Sequence, residues 1–209
     1  MDFNEEARSE AFRTFWKQLN SRGYERAQGL DPSIMQQLKG EEAIKAKTEL
    51  IAAFHRGDPT VLSALVTLLG TDAIPILEGK LETLSQPGLL HSQIAAYLWK
   101  LTGDECYRDH LIANLSIDDE LQRVSILHNL IRMGKSEKSK SVFLEILKTD
   151  PSRKVRATAA RGVLFMINRI SSPEAWDYPD RPLVMKIVSG DKGAAEISIK
   201  KILSIVELS

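Results

Sequence analysis

A four-position apolar pattern recurs along this chain at a nearly constant period. Two adjacent apolar or small residues are followed by an apolar residue three positions on, and by another three positions later. The copies begin at Val61, Ile94, Ile126 and Ala159, so their spacings are 33, 32 and 33 residues. The copies are Val61-Leu62-Leu65-Leu68, Ile94-Ala95-Leu98-Leu101, Ile126-Leu127-Leu130-Met133 and Ala159-Ala160-Val163-Met166. Such a period is typical of stacked helix pairs, each too small to bury its apolar face alone.

A second apolar group keeps the same period, which strengthens the prediction of helix pairs. The group Leu111–Leu115 is matched 32 residues later by Phe143–Leu147, on the predicted first helix of each pair. No alternation of strand type is sustained anywhere in the chain. We expect an all-α fold, an α-solenoid of about five helix pairs over residues 41–209. The segment 171–182, which contains three prolines, interrupts the period and is predicted to be an inserted loop.

The segment 1–40 is predicted to form capping helices for the first pair. Phe12, Phe15 and Trp16 fall on one face of a helix predicted over residues 1–22. Because the terminal repeats of a solenoid need a cap, we expect this aromatic face to cover the end of the first pair. The alternative is that the same face docks on a partner protein.

The segment 150–163 resembles the second helix of a HEAT repeat. Its sequence, DPSRKVRATAARGV, places an Asp-Pro cap, a Val-Arg pair, an alanine pair and an aliphatic residue in the order of that family. The resemblance covers residues 41–209, and the short period is closest to compact HEAT-like repeats of bacterial proteins. Asp150 is expected to cap the helix. Arg156 is expected to reach an acidic or carbonyl group in an adjacent turn.

Residues with catalytic or metal-binding potential are scattered. The four histidines form no His-Glu-x-x-His motif, Cys106 is the lone cysteine, and there is no glycine-rich phosphate loop. We therefore expect no catalytic residue, no metal, no cofactor and no small-molecule substrate. One enzyme family shares the architecture, size and repeat count, the HEAT-like alkylpurine DNA glycosylases, and this is the alternative function.

The charge pattern argues against nucleic acid as the partner. The formal net charge is zero, but residues 61–120 hold three Lys/Arg against nine Asp/Glu. Residues 121–170 hold eleven Lys/Arg against three Asp/Glu. An acidic stretch of this size would repel phosphates. The basic stretch instead favours a partner protein with an acidic surface.

Compartment and membrane association are predicted from what the sequence lacks. The first residues are acidic without the apolar core of a signal peptide, and no run of about 18 apolar residues is evident. The lone cysteine fits a reducing compartment. We expect a cytoplasmic protein without a membrane span.

The predicted binding residues lie on the second helices, between the apolar positions, and on the inserted loop. They combine cationic and aromatic side chains, which are enriched in protein interfaces. The candidate partner-binding residues are Tyr97, Lys100, His128, Asn129, Arg132, Arg161, Phe165, Arg169, Trp176 and Tyr178. The predicted function is a non-catalytic protein-binding module, with an immunity or antitoxin protein that masks a toxin domain, or an adaptor, as the roles that fit.

Overall fold

The computed structural model describes residues 8–23, 29–84, 88–189 and 191–208. Within these residues the fold is all-helical and contains no strand. The chain divides into two compact units, residues 1–85 and 86–209. This division falls inside the second predicted helix pair and not at residue 40. The first unit contains α1 (Glu10–Asn20), α2 (Pro32–Met35), α3 (Gly40–His55), α4 (Leu62–Leu69) and α5 (Ile74–Thr83).

The aromatic face of α1 packs inward on the first unit. Ser9 caps the helix by accepting a hydrogen bond from the Phe12 backbone N–H at 3.1 Å. The Ser9 hydroxyl also donates to Glu42 on α3 at 2.6 Å. Phe12 and Phe15 are 3% and 0% exposed, and α1 contacts α2 and α3. The prediction that this face is covered by the chain itself is confirmed for both phenylalanines, although residues 1–7 of the predicted helix lie outside the described residues.

One stretch of the first unit, Pro59–Thr83, is long and apolar enough to cross a membrane by length and composition. The expectation that no such stretch exists is therefore corrected. Gly70, with φ of +57°, divides the stretch into α4 and α5, and each is far shorter than the roughly 20 residues a spanning helix needs. Leu65 and Leu77 are fully buried. The stretch is compatible with the core of a soluble protein.

The second unit continues the alternation of helices. Helices that alternate along the chain contact one another in order, α6 with α8, α8 with α10, and α10 with α12. The helices are α6 (Leu89–Thr102), α7 (Cys106–Ala113), α8 (Glu120–Arg132), α9 (Glu137–Thr149), α10 (Arg153–Met166), α11 (Arg181–Ser189) and α12 (Lys192–Glu207). The equivalent pattern positions Leu98, Leu130 and Val163 are all 0% exposed, so their predicted burial is confirmed.

Two arginines at equivalent positions join neighbouring helix pairs. Arg123 on α8 donates to both carboxylate oxygens of Asp150, at 3.0 and 3.3 Å. Arg156 on α10 donates to Glu196 on α12 at 2.9 Å, as the sequence predicts. Asp150 is not the cap of α10. Ser152 caps that helix, while Asp150 accepts from the Ser152 N–H at 2.8 Å.

A buried arginine fixes the junction between α8 and α9. Arg108 on α7 is 2% exposed, and it pairs with the Glu105 carboxylate. Its guanidinium donates to the Ser139 hydroxyl at 2.8 Å and to the Met133 carbonyl at 3.1 Å. This carbonyl lies at the end of α8, where helix carbonyls lack partners within the helix.

Helices α9 and α10 approach each other closely at a glycine. A Cβ atom added to Gly162 would lie 2.8 Å from ring carbons of Phe143, which is 0% exposed. Only glycine therefore fits at this position without movement of the ring or of the helix backbone.

Candidate functional site

The site is built from α8, α10 and the loop that follows α10. His128 on α8 is half-buried. Burial lowers the pKa of its imidazole, and the positive charges of Arg161 and Arg132 lower it further. Arg161 belongs to α10 and Arg132 to α8, so side chains from two packed helices act on the same histidine. The sequence prediction that these three residues face a common region is supported by this arrangement.

Arg161 holds the inserted loop in place. Its guanidinium donates to the backbone carbonyls of Pro173 and, at 3.2 Å, of Ala175. Farther along the loop, Arg169 donates to both carboxylate oxygens of Asp180, at 2.8 and 3.2 Å. The loop therefore adopts a defined shape although it contains few buried apolar side chains.

The loop presents its tryptophan to solvent. Trp176 is 71% exposed, and the guanidinium carbon of Arg181 lies 4.7 Å from the centroid of its ring. This geometry is a cation–π contact. The sequence left open whether the loop buries or presents Trp176, and the structure shows the second.

Tyr178 connects the loop to the arginines. Burial raises the pKa of its phenol, while the charges of Arg161 and Arg181 act in the opposite direction. Tyr178 and Arg181 also line a groove of about 730 Å³, together with Asp177, Pro179, Pro182 and Met185. Arg181 was missed by sequence analysis, although a cation three residues after Tyr178 at the start of a helix was a usable signal.

We call the resulting patch the basic-aromatic surface. Its members are joined by the electrostatic and ring contacts described above. It consists of His128, Arg132, Arg161, Trp176, Tyr178 and Arg181. Its chemistry is that of a protein-binding surface, with an exposed indole, a phenol and three guanidinium groups in one region.

Two predicted site residues have other roles. The expectation that Phe165 points away from the core is wrong, because its side chain is 6% exposed and the Lys135 ammonium lies 5.3 Å from its ring centroid. Arg169 is half-exposed, but its charge is matched by Asp180.

Three further predicted residues lie apart from the basic-aromatic surface in their described contacts. Lys100 is exposed, and Tyr97 and Asn129 are half-buried. Among the residues that the structure describes, no hydrogen bond, ion pair or ring contact joins these three to that surface.

The basic stretch 121–170 is less positive as a surface than as a sequence. At least six of its eleven cations form ion pairs, several with acids from the acidic stretch or from later helices. These are Arg123 with Asp150, Lys138 with Asp109, Lys140 with Glu137, Lys154 with Glu120, Arg156 with Glu196, and Arg169 with Asp180. Arg132 makes no ion pair within the described residues, so its charge is available to a ligand.

The described residues offer no cluster of three or more His, Cys, Asp or Glu side chains able to hold a metal ion. The Cys106 thiol is exposed. Burial, a hydrogen bond to Asp104 and nearby carboxylates raise its pKa, which favours the protonated thiol over the nucleophilic thiolate.

Comparison of the chain with models of protein families, with curated proteins and with solved structures found no match.

Proposed function

We propose that this protein is a non-catalytic protein-binding module built as a HEAT-like α-solenoid. The repeat part of the proposal is supported by the equal burial of Leu98, Leu130 and Val163 and by the contacts between alternate helices. It is also supported by Arg123 and Arg156, which occupy equivalent positions and each pair with an acid farther along the chain.

The basic-aromatic surface is the observation that carries the binding proposal. Trp176 is 71% exposed, and burying such an indole on a partner contributes strongly to affinity. Arg132 lies close enough to His128 to influence its titration, and this arginine makes no ion pair in the described part of the chain. Arginine and tryptophan together favour a partner with carboxylates around an apolar contact.

The anchored loop favours tight binding for a second reason. The hydrogen bonds from Arg161 to two loop carbonyls and the Arg169–Asp180 pair hold the aromatic residues before a partner arrives. A loop that is already ordered loses less conformational entropy on association.

The proposed partner is a protein with an acidic surface in the cytoplasm. A toxin domain masked by an immunity or antitoxin protein fits this chemistry, as does the target of an adaptor.

Affinity purification from native lysate with the wild-type chain, followed by mass spectrometry, identifies the partner. Trp176→Ala and Arg132→Glu should each weaken its binding by about 30-fold or more, the effect of losing roughly 2 kcal/mol at an interface hot spot. Lys148→Glu is the matched control, because it reverses another exposed cation of the basic stretch on the first helix α9. Full affinity in both surface variants would overturn the proposal.

Salt and DNA titrations separate this function from the glycosylase alternative. Binding of the acidic partner should slow as salt rises, because screening acts over about 10 Å at 0.1 M ionic strength. Tight, salt-sensitive binding of duplex DNA by the wild type would instead favour the DNA glycosylase.

A further inference from the structure

A second groove lies on the opposite side of the chain's chemistry from the aromatic loop, between α11 and α12. Its volume is about 430 Å³. It is lined by Leu183, Ile197, Lys200, Lys201, Ser204 and Ile205. None of these residues belongs to the basic-aromatic surface, so the groove requires its own explanation.

The floor of the groove is apolar and open to solvent. Ile197 on α12 is 58% exposed. Nearby in sequence on α11, Met185 and Val188 are 44% and 39% exposed. The other face of α12, represented by Ala195 and Ile202, is fully buried. Helix α12 is therefore apolar on both faces, and only one of them is covered by the chain.

The edge of the groove is cationic. Lys200 and Lys201 line it, and neither makes an ion pair within the described residues. The neighbouring acid, Glu196, is bonded to Arg156 at 2.9 Å and so does not neutralise them. An apolar floor beside two uncompensated lysines complements a ligand that carries aliphatic and acidic side chains together.

We infer that this groove binds an amphipathic helix whose flanks are acidic. A cleft between two helices accepts a third helix through apolar residues spaced three and four apart. On α12, Ile197, Lys200 and Ser204 follow that spacing themselves. A docked helix would cover Ile197 with its aliphatic residues and place its carboxylates against Lys200 and Lys201.

A peptide selection tests the proposal with the full-length protein. The probe is a displayed library of random peptides of about 14 residues, roughly four helical turns. Peptides are selected on the wild type and counter-selected on Ile197→Glu, whose side chain is exposed enough for the variant to fold. The enriched peptides should carry aliphatic residues at three- and four-residue spacing with acidic flanks.

Affinities of the enriched peptides decide the outcome. Ile197→Glu should abolish binding, and the double variant K200E/K201E should weaken it by about tenfold or more, which corresponds to 1.4 kcal/mol. Ile44→Glu and Lys47→Glu on α3 are matched controls at exposed positions and should bind normally.

Three results would overturn the inference. The first is enrichment of peptides that bind Ile197→Glu as well as wild type. The second is a wild-type dimer in sedimentation that Ile197→Glu converts to monomer, since the occupant would then be a second copy. The third is Ile197-dependent binding to vesicles rich in phosphatidylserine without any enriched peptide, since a membrane surface would then be the ligand.

Discussion

Replacing Gly162 by alanine tests the close approach of α9 and α10. In an open helical position this change stabilises a protein by up to about 1 kcal/mol, because alanine restricts the unfolded chain and favours the helix. Here the new methyl group would lie 2.8 Å from carbons of the Phe143 ring. The ring is fully buried and cannot swing into solvent.

The expected sign is therefore the reverse of the usual one. Overpacking in a well-filled core costs about 1–3 kcal/mol, which outweighs the gain in helix propensity over most of that range. We expect Gly162→Ala to lower the free energy of unfolding by about 1–2 kcal/mol. Urea denaturation followed by circular dichroism measures it, and hydrogen exchange of amides in α9 and α10 localises it.

Two further variants make the test specific. Gly79 lies within α5 and has nothing within 4 Å of an added Cβ atom, so Gly79→Ala should be neutral or stabilising. Adding Gly162→Ala to Phe143→Leu should also be less harmful than in the wild type, because the smaller side chain leaves room. A stabilised Gly162→Ala protein, or equal effects in both backgrounds, would refute the steric explanation.

Three other perturbations have defined outcomes. Leu130→Ala, at a fully buried repeat position, should cost about 2–5 kcal/mol in urea denaturation, and a neutral result would contradict the repeat assignment. Phe15→Ala should cost about 3–5 kcal/mol in the same assay, and unchanged stability would show that α1 does not cap the first unit. Because burial first and then Arg161 and Arg132 lower the pKa of His128, the unfolded chain binds a proton more readily than the folded one just below the ordinary value of 6.5. Stability should thus fall as pH decreases through that window, and His128→Gln should reduce the change in Tm between pH ~7.5 and ~5 by removing this proton uptake; an identical pH profile would contradict it.

The helices could be predicted because their signal is local. Helical spacing of apolar residues and polar caps identify α3, α8 and α10 without knowledge of their neighbours. The same locality explains the error at Phe165. It holds the sequence position of Lys100 and Arg132, yet α10 contacts α8, α9, α11 and α12, so little of its surface remains open.

The charges were harder to predict than the helices. A count of Lys and Arg cannot show which cations already have acidic neighbours, because those neighbours lie tens of residues away. Arg161 is the clearest case. Its position predicted a solvent-facing cation, whereas its guanidinium serves the carbonyls of the inserted loop. Trp176 was correctly selected, but only the structure decided between its two possible placements.

The ion pairs between helices also affect how a chain of this kind folds without error. Its apolar faces recur every 32 or 33 residues, so a helix docked on the wrong neighbour would bury nearly the same hydrocarbon. The charged partners differ from one junction to the next, with Arg123 meeting Asp150 and Arg156 meeting Glu196. A misplaced helix would leave these guanidinium groups half-buried without a counterion, which is costly. The ion pairs therefore act as addresses, which penalise wrong neighbours more than they stabilise correct ones.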